Sequence, residues 1–202
     1  MKLTASLTSP YARKIRVLLA EKRIPCTLQV DSPWETDTAV PALNPLGKVP
    51  VLESDEGEVF FDSPVIAGYL EALDRPPHFM PRDGMAAVRV RQTEALADGI
   101  LDAAVLAHLE RMRPAEAQLP SNVERQCAKI ERALQALEAR LGETEWFHGE
   151  RISLADVAVG CALEYLDLRL GALNWRDRHP RLTAFAARIG ARESFVSTRP
   201  PG

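Results

Sequence analysis

"TSPYARKIRVLL", residues 8–19, places a serine and a proline directly before a basic amphipathic helix, close to the chain start. Serine is a favoured helix N-cap and proline is favoured at the first helical position, so Ser9 and Pro10 mark where the helix begins. Apolar residues then recur at helical spacing, namely Ala12, Ile15, Leu18 and Leu19. The stretch predicts a helix over residues 11–23 whose amino end carries a hydroxyl suited to contact a ligand.

Strand patterns flank this helix on both sides. "LTASL" (3–7) and "CTLQV" (26–30) alternate with period two, which predicts a βαβ unit with a right-handed crossover. Further along, "VPVLES" and "EVFF" enclose the turn "DEG", which predicts an antiparallel hairpin. "DSPVIAGYLEAL" then begins another helix, with Ser63 expected at the N-cap and Pro64 at the first helical position.

A change of composition divides the chain. Residues 1–75 contain the βαβ-ββα order and predict an α/β domain, whereas the Pro-rich, polar residues 76–85 predict a linker. Beyond the linker every periodic segment is helical, so residues 86–202 predict an all-α domain. Within that domain, Ser153 and Asp156 have the spacing of a capping box, and we expect Asp156 to be structural.

The composition excludes several classes of protein. Of 202 residues, 46% are apolar and 26% are charged, which is typical of a globular chain. A net charge of -3 argues against nucleic acid binding, and no apolar run reaches the length of a membrane span. The cysteines have neither disulfide-framework nor metal-ligand spacing, and the amino terminus lacks the apolar region of a secretory signal. We therefore expect a cytoplasmic protein without a nucleic acid, membrane or metal partner.

Three features of the first domain predict a ligand site. Ligands of α/β domains collect at the carboxyl ends of strands and the amino ends of helices. Ser9 lies between the first strand and the first helix, Val49 and Pro50 start the third strand, and Ser63 begins a later helix. Each feature also has a structural explanation, because the serines can be plain N-caps and most X-Pro bonds are trans. Their combination favours a site.

Four segments of the chain resemble those of bacterial glutathione S-transferases, in the same order: "TSPYARKIRVLLAEKRIP", "NPLGKVPVL", "DS" before "PVIAGYL", and "ISLADV". The resemblance spans essentially the whole chain. It implies a thioredoxin-like N-terminal domain, an all-helical C-terminal domain, glutathione as co-substrate and usually a homodimer.

The resemblance also implies a catalytic role for Ser9. Glutaredoxins have Cys-Pro-Tyr-Cys at the corresponding turn, whereas this chain has Ser9-Pro10-Tyr11-Ala12 and no sulfur there to attack a disulfide. Position 9 matches the catalytic serine of zeta-like classes, which implies that its hydroxyl donates a hydrogen bond to the glutathione sulfur. That bond and the helix N-terminus would lower the pKa of the thiol from about 8.5 by about one to three.

The remaining glutathione contacts are also implied by the resemblance. It implies a cis bond before Pro50, so that Val49 pairs its backbone with the cysteinyl unit of glutathione. Ser63 would bind the γ-glutamyl carboxylate at a helix N-terminus, and Asp62 would lie near the amino group, where many relatives have Glu. Lys48 could reach the glycyl carboxylate, and a solvated lysine explains this residue equally well.

The second substrate is expected to be a small hydrophobic electrophile in a pocket between the domains, for which the candidates are Tyr11, Trp34, Leu101, Asp102 and Val105. The sequence thus predicts a glutathione transferase of the detoxification type. Two alternatives stay open. One is a non-enzymatic binding or regulatory protein of the same fold, and the other is a glutathione-dependent isomerase or dehalogenase.

On the first helix, the basic residues are expected to form a solvated face: Arg13, Lys14 and Arg16.

Overall fold

A computed structural model describes residues 1–201 and divides the chain into two compact units. The N-terminal unit contains Met1–Phe79 together with the residues from Arg192 onward, and the helical unit contains Met80–Ala191. The predicted linker 76–85 contains the boundary between the units, and residues 192–201, which were expected in the helical domain 86–202, group with the N-terminal unit.

The N-terminal unit is built on a mixed sheet of four strands. The strands are β1 Lys2–Ala5, β2 Thr27–Val30, β3 Val51–Glu53 and β4 Val59–Phe60. Their order across the sheet is β2-β1-β3-β4; β1 is parallel to β2, and β3 is antiparallel to both β1 and β4. The helices are α1 Pro10–Glu21, α2 Val40–Leu43 and α3 Ser63–Ala72. The predicted βαβ-ββα fold class is confirmed.

The core of the N-terminal unit lies between the sheet and two helices. Most residues of β1 and β3 and one face each of α1 and α3 are buried, and their buried apolar side chains include Leu3, Ile15, Leu18, Leu52, Ile66 and Leu70. Burying a side chain of this size contributes about 1.5–3 kcal/mol. This packing fixes the direction in which α1 and α3 leave the sheet, and therefore the position of their amino ends.

The helical unit contains four long helices, as the sequence predicts. They are α4 Gly84–Met112, α5 Pro120–Leu141, α6 Leu154–Leu170 and α7 Pro180–Gly190. Helix α4 packs against both α5 and α6, and α6 is buried on nearly all sides. The predicted capping box at the start of α6 is confirmed: the Asp156 carboxylate accepts the Ser153 amide at 2.8 Å and the Ser153 hydroxyl at 2.6 Å.

The last segment of the chain packs on α1. It contains a short helix, α8 Glu193–Val196, which the sequence pattern did not predict. The Arg13 guanidinium donates to the Phe195 carbonyl at 3.1 Å, and Arg192 forms an ion pair with Glu21 at 2.7 Å. The expectation of a solvated basic face on α1 is therefore wrong for Arg13 and Lys14, which are 3% and 0% exposed.

Among the helices of residues 1–201, none combines the length and the apolar character that crossing a bilayer requires. The same residues hold no group of three or more His, Cys, Asp or Glu side chains placed to bind a metal ion.

Candidate functional site

Three loops of the N-terminal unit meet at one edge of its sheet. In the strand register, Thr4 of β1 pairs with Val51 of β3, and Leu52 of β3 pairs with Phe60 of β4. Because β3 runs antiparallel to both neighbours, the ends of β1 and β4 lie beside the start of β3. We call this side the loop edge, and it comprises residues 6–9, 48–50 and 61–63. The topology thus brings Ser9, Val49, Pro50 and Ser63 to the same edge.

Ser9 is the N-cap of α1, as predicted. Its backbone is extended, its hydroxyl accepts the amide of Ala12 at 3.2 Å, and its carbonyl accepts the amide of Arg13 at 3.0 Å. The residue is half-buried. A hydroxyl that accepts one hydrogen bond still has its own proton to donate. The capping role and a donor role toward a ligand are therefore compatible.

The peptide bond between Val49 and Pro50 is cis, as the family resemblance implies. Pro50 is buried and Val49 is half-buried at the start of β3. Within residues 1–201, no backbone hydrogen bond involves Val49. Its amide and carbonyl are therefore available to pair with an extended peptide in the manner of an added strand.

Asn44 holds the loop that leads to Val49, and the sequence reasoning assigned it no role. Its side chain is buried, donates to the Lys48 carbonyl at 2.8 Å and accepts the Leu46 amide at 3.0 Å. Gly47 follows with a φ of +61°, a conformation that glycine adopts without strain. The segment "NPLG" is a typical turn signal and could have identified this turn.

Ser63 lies one position further into α3 than predicted. Asp62 is the N-cap, with extended backbone and its carbonyl accepting the Ile66 amide at 3.0 Å, and Ser63 is the first helical residue. Ser63 is 1% exposed, whereas Asp62 is exposed. Stacking of the Phe60 and Tyr69 rings, with centroids 4.3 Å apart, holds α3 beside β4. The first amides of α3 have no partner within the helix, so its amino end suits an anion.

The other predicted site residues of the N-terminal unit differ in exposure. Lys48 is exposed beside the loop edge, and Tyr11 is half-buried in the first turn of α1. Trp34 is 72% exposed, in the loop between β2 and α2. The side chain of Trp34 is thus accessible to a ligand, although the strand register does not place it at the loop edge.

Three predicted residues lie on α4 of the helical unit. Leu101 is fully buried in the core of that unit, Val105 is half-buried and Asp102 is exposed. Leu101 therefore presents no accessible surface, whereas the other two do. Their assignment to an electrophile pocket stays a prediction.

The fold is that of a two-domain protein with an α/β N-terminal unit and a helical C-terminal unit, and its sequence matches one family along both. Residues 8–73 match the glutathione S-transferase N-terminal domain, and residues 120–188 match the glutathione S-transferase C-terminal domain. The chain belongs to the glutathione S-transferase family.

Three similar proteins cover nearly the whole chain. An uncharacterized GST-like protein of Escherichia coli, YibF, is 43% identical over 100% of this chain and 99% of its own length. A maleylacetoacetate isomerase of Pseudomonas aeruginosa is 31% identical over 99% of this chain and 96% of its own. A crystal structure of a glutathione S-transferase from Methylobacillus flagellatus with glutathione bound is 44% identical, with a TM-score of 0.94 and 99% of each chain covered.

Proposed function

We propose that this protein binds glutathione at the loop edge and adds the glutathione thiolate to a small apolar electrophile. The observation that carries the proposal is the convergence of the N-cap Ser9, the cis Val49–Pro50 bond and the amino end of α3 at one edge of the sheet. Each has a distinct use in binding a tripeptide with a thiol. The similar Methylobacillus flagellatus protein binds glutathione, which supports the same ligand here.

In this proposal Ser9 keeps the sulfur anionic. Its hydroxyl accepts from Ala12 and donates its own proton to the sulfur. A hydrogen bond to a charged group contributes about 1.5–3 kcal/mol and a helix N-terminus about 0.3–1 kcal/mol. These contributions lower the thiol pKa from about 8.5 by about one to three, so the thiolate becomes a large fraction at neutral pH. The thiolate then attacks the electrophile, and its leaving group departs with the bonding electrons.

The rest of glutathione binds through backbone and charge. Val49 pairs its amide and carbonyl with the cysteinyl unit, and its cis bond to Pro50 belongs to that arrangement. Ser63 and the first amides of α3 bind the γ-glutamyl carboxylate, and Asp62 binds the amino group. Lys48 is exposed and pairs with the glycyl carboxylate.

A turnover measurement with a matched control tests the function. Ser9→Ala removes the donor, and we expect conjugation of a small aryl halide to fall roughly 10- to 150-fold, the equivalent of the lost hydrogen bond. Ser54→Ala is the control, because it removes a buried hydroxyl of the same unit, which accepts the amides of Glu56 and Glu58 at 3.2 Å in the turn after β3, outside the loop edge. The control should keep wild-type turnover. Equal turnover in the wild type and Ser9→Ala would contradict the role of Ser9.

Retention on immobilised glutathione separates the enzyme from a non-enzymatic relative. A glutathione transferase is retained and turns over, whereas a binding or regulatory protein is retained without turnover or not retained. The homodimer implied by the family resemblance and the cytoplasmic location expected from the sequence stay predictions, and sedimentation of the purified chain decides the first of them.

A second candidate function is glutathione-dependent isomerisation. It is favoured by the 31% identity to the maleylacetoacetate isomerase over nearly both chains. The same thiolate would add to a double bond, permit rotation and then leave, so glutathione would be regenerated. Glutathione consumption distinguishes the two reactions, because conjugation consumes one glutathione for each product and isomerisation consumes none.

A further inference from the structure

The final segment of the chain forms hydrogen bonds with α1 at three levels along the helix axis. We call residues 192–201 the C-terminal strap. Near the end of α1, Glu21 accepts hydrogen bonds from Arg192 at 2.7 and 2.9 Å and from the Ser194 hydroxyl at 2.6 Å. In the middle, Arg16 donates to the Thr198 carbonyl at 3.2 Å. The third level lies at the beginning of the helix.

At that level Arg13 is held by the strap. The residue is only 3% exposed, its guanidinium donates to the Phe195 carbonyl at 3.1 Å, and it lies 5.5 Å from the centroid of the Phe195 ring. Phe195 itself is fully buried. A buried guanidinium with a carbonyl acceptor and an aromatic face has little freedom to move. Arg13 thus fixes the position of its own backbone within α1.

The backbone of Arg13 closes the turn that carries Ser9. Its amide donates to the Ser9 carbonyl at 3.0 Å, and the preceding amide, of Ala12, donates to the Ser9 hydroxyl at 3.2 Å. Both hydrogen bonds fix Ser9. Their donors are the amides of Arg13, whose side chain contacts the strap, and of its neighbour Ala12. The strap and Ser9 are therefore connected through a single residue.

We propose that Arg13 is a positioning residue for the reaction, which anchors the first turn of α1 to the C-terminal strap and so orients the Ser9 hydroxyl toward the glutathione sulfur. The inference rests on the proposed function of Ser9. A hydrogen bond weakens steeply when its angle departs from linear, so a small rotation of this turn diminishes thiolate stabilisation. Binding of the rest of glutathione depends on Val49 and Ser63 and is not affected by that rotation.

Ultraviolet titration of the thiolate of bound glutathione tests this inference, with the full chain and saturating glutathione. Arg13→Met should raise the pKa of the bound thiol by about one and lower turnover near neutral pH up to about tenfold, while KM for glutathione changes less than about twofold. Arg13→Lys keeps a positive charge and a donor, so the pKa of the bound thiol should lie between its values in the wild type and in Arg13→Met. Should Arg13→Met not fold, the Lys variant decides.

Arg192→Gln is the matched control. It removes the pair with Glu21 at the far end of α1 and should lower stability without moving the thiol pKa. An unchanged thiol pKa in the folded Arg13 variants, or an equal shift in Arg192→Gln, would overturn the inference. Ser9→Ala shows whether such a failure concerns Arg13 alone or the proposed function as well. If Ser9→Ala also leaves the thiol pKa unchanged, the role of Ser9 is wrong. If Ser9→Ala raises the thiol pKa and the Arg13 variants do not, only the role of Arg13 is wrong.

Discussion

The hydroxyl oxygen of Thr93 lies 2.8 Å from Nε2 of His148 in the helical unit, and Thr93 is fully buried. The same oxygen accepts a hydrogen bond from the Arg140 guanidinium at 2.7 Å. A hydroxyl can donate one proton while it accepts, so Thr93 can donate to His148 when Nε2 of the imidazole is unprotonated. That arrangement requires a neutral imidazole.

This network predicts a loss of stability in mild acid. Burial lowers the pKa of His148 below its usual value of 6.5, and the positive charges of Arg140 and Arg89 lower it further. The unfolded chain therefore binds a proton at a higher pH than the folded chain does. The contribution of His148 is complete above pH about 6.5 and decreases as pH falls toward the folded pKa.

Thermal unfolding at two pH values checks this expectation. The wild type should lose melting temperature between pH 7 and pH 5.5, and His148→Gln should lose less over the same interval. His78 is exposed and lies in the N-terminal unit, so His78→Gln serves as the control and should follow the wild type. Parallel curves for the wild type and His148→Gln would contradict the role of the Thr93 network.

A buried ion pair in the N-terminal unit predicts that replacing one carboxylate by an amide lowers the free energy of unfolding substantially. The Lys22 side chain has no exposed surface; its ammonium pairs with Glu71 at 2.9 Å and donates to the carbonyls of Arg75 and Pro77, both at 2.9 Å. Glu71→Gln leaves that ammonium without a counter-charge, and we expect a loss of about 2–4 kcal/mol of unfolding free energy. Urea unfolding measures this loss.

A double-mutant cycle tests whether the loss arises from the pair. Once Lys22→Met has removed the ammonium, Glu71→Gln should cost at least about 1 kcal/mol less than it does in the wild type. Equal costs in both backgrounds would show that Glu71 acts through its other contacts, which are the Phe79 amide at 3.1 Å and the His78 ring at 3.9 Å.

The capping box of α6 predicts that its two residues contribute unequally to the free energy of unfolding. Asp156 accepts the amides of Ser153 at 2.8 Å and Phe147 at 2.9 Å, and burial raises the pKa of its carboxyl in spite of these hydrogen bonds. Ser153→Ala should cost about 1–2 kcal/mol, and Asp156→Ala, which leaves both buried amides without an acceptor, about 2–4 kcal/mol. Ser121→Ala, at an exposed position of α5, should change the unfolding free energy by less than about 0.5 kcal/mol. The reverse order of the two costs would contradict this assignment.

The local patterns were sufficient to predict most of the fold. Alternation and helix-start signals gave the strands and helices of the N-terminal unit, and their order determines which loops share an edge of the sheet. The start of α3 was wrong by one residue, because a serine before a proline satisfies the N-cap preference as well as the observed Asp62 does. Such preferences differ too little in energy to fix a boundary.

Contacts between distant segments were beyond the reach of sequence reasoning. Arg13 and Lys14 are charged residues on an amphipathic helix, and this pattern usually predicts a solvated face. Arg13 is buried because the chain returns to α1 some 180 residues later, and Arg13 and its partner Phe195 are separated by 182 positions. The spacing of residues along one helix contains no information on contacts with a segment so far away in the sequence. The same reason explains why α8 was missed.

Ser9 is the N-cap of α1 and has a proposed role at the glutathione sulfur, and stability measurements separate the two. As the N-cap it contributes to folding, so Ser9→Ala should lower the unfolding free energy by about 1 kcal/mol. Ser9→Asp keeps a side-chain acceptor for the cap but has no proton to donate when ionised, so it should retain most of this stability while losing turnover. Wild-type turnover together with wild-type stability in Ser9→Asp would indicate that only the cap matters.

The distance between the Ser9 hydroxyl and the glutathione sulfur in a crystal structure of the complex tests the proposed role of Ser9. We expect the oxygen to lie within about 3.5 Å of the sulfur, with the Ala12 amide still donating to it. A sulfur more than about 4 Å away, or a hydroxyl directed elsewhere while glutathione occupies the loop edge, would show that Ser9 does not stabilise the thiolate.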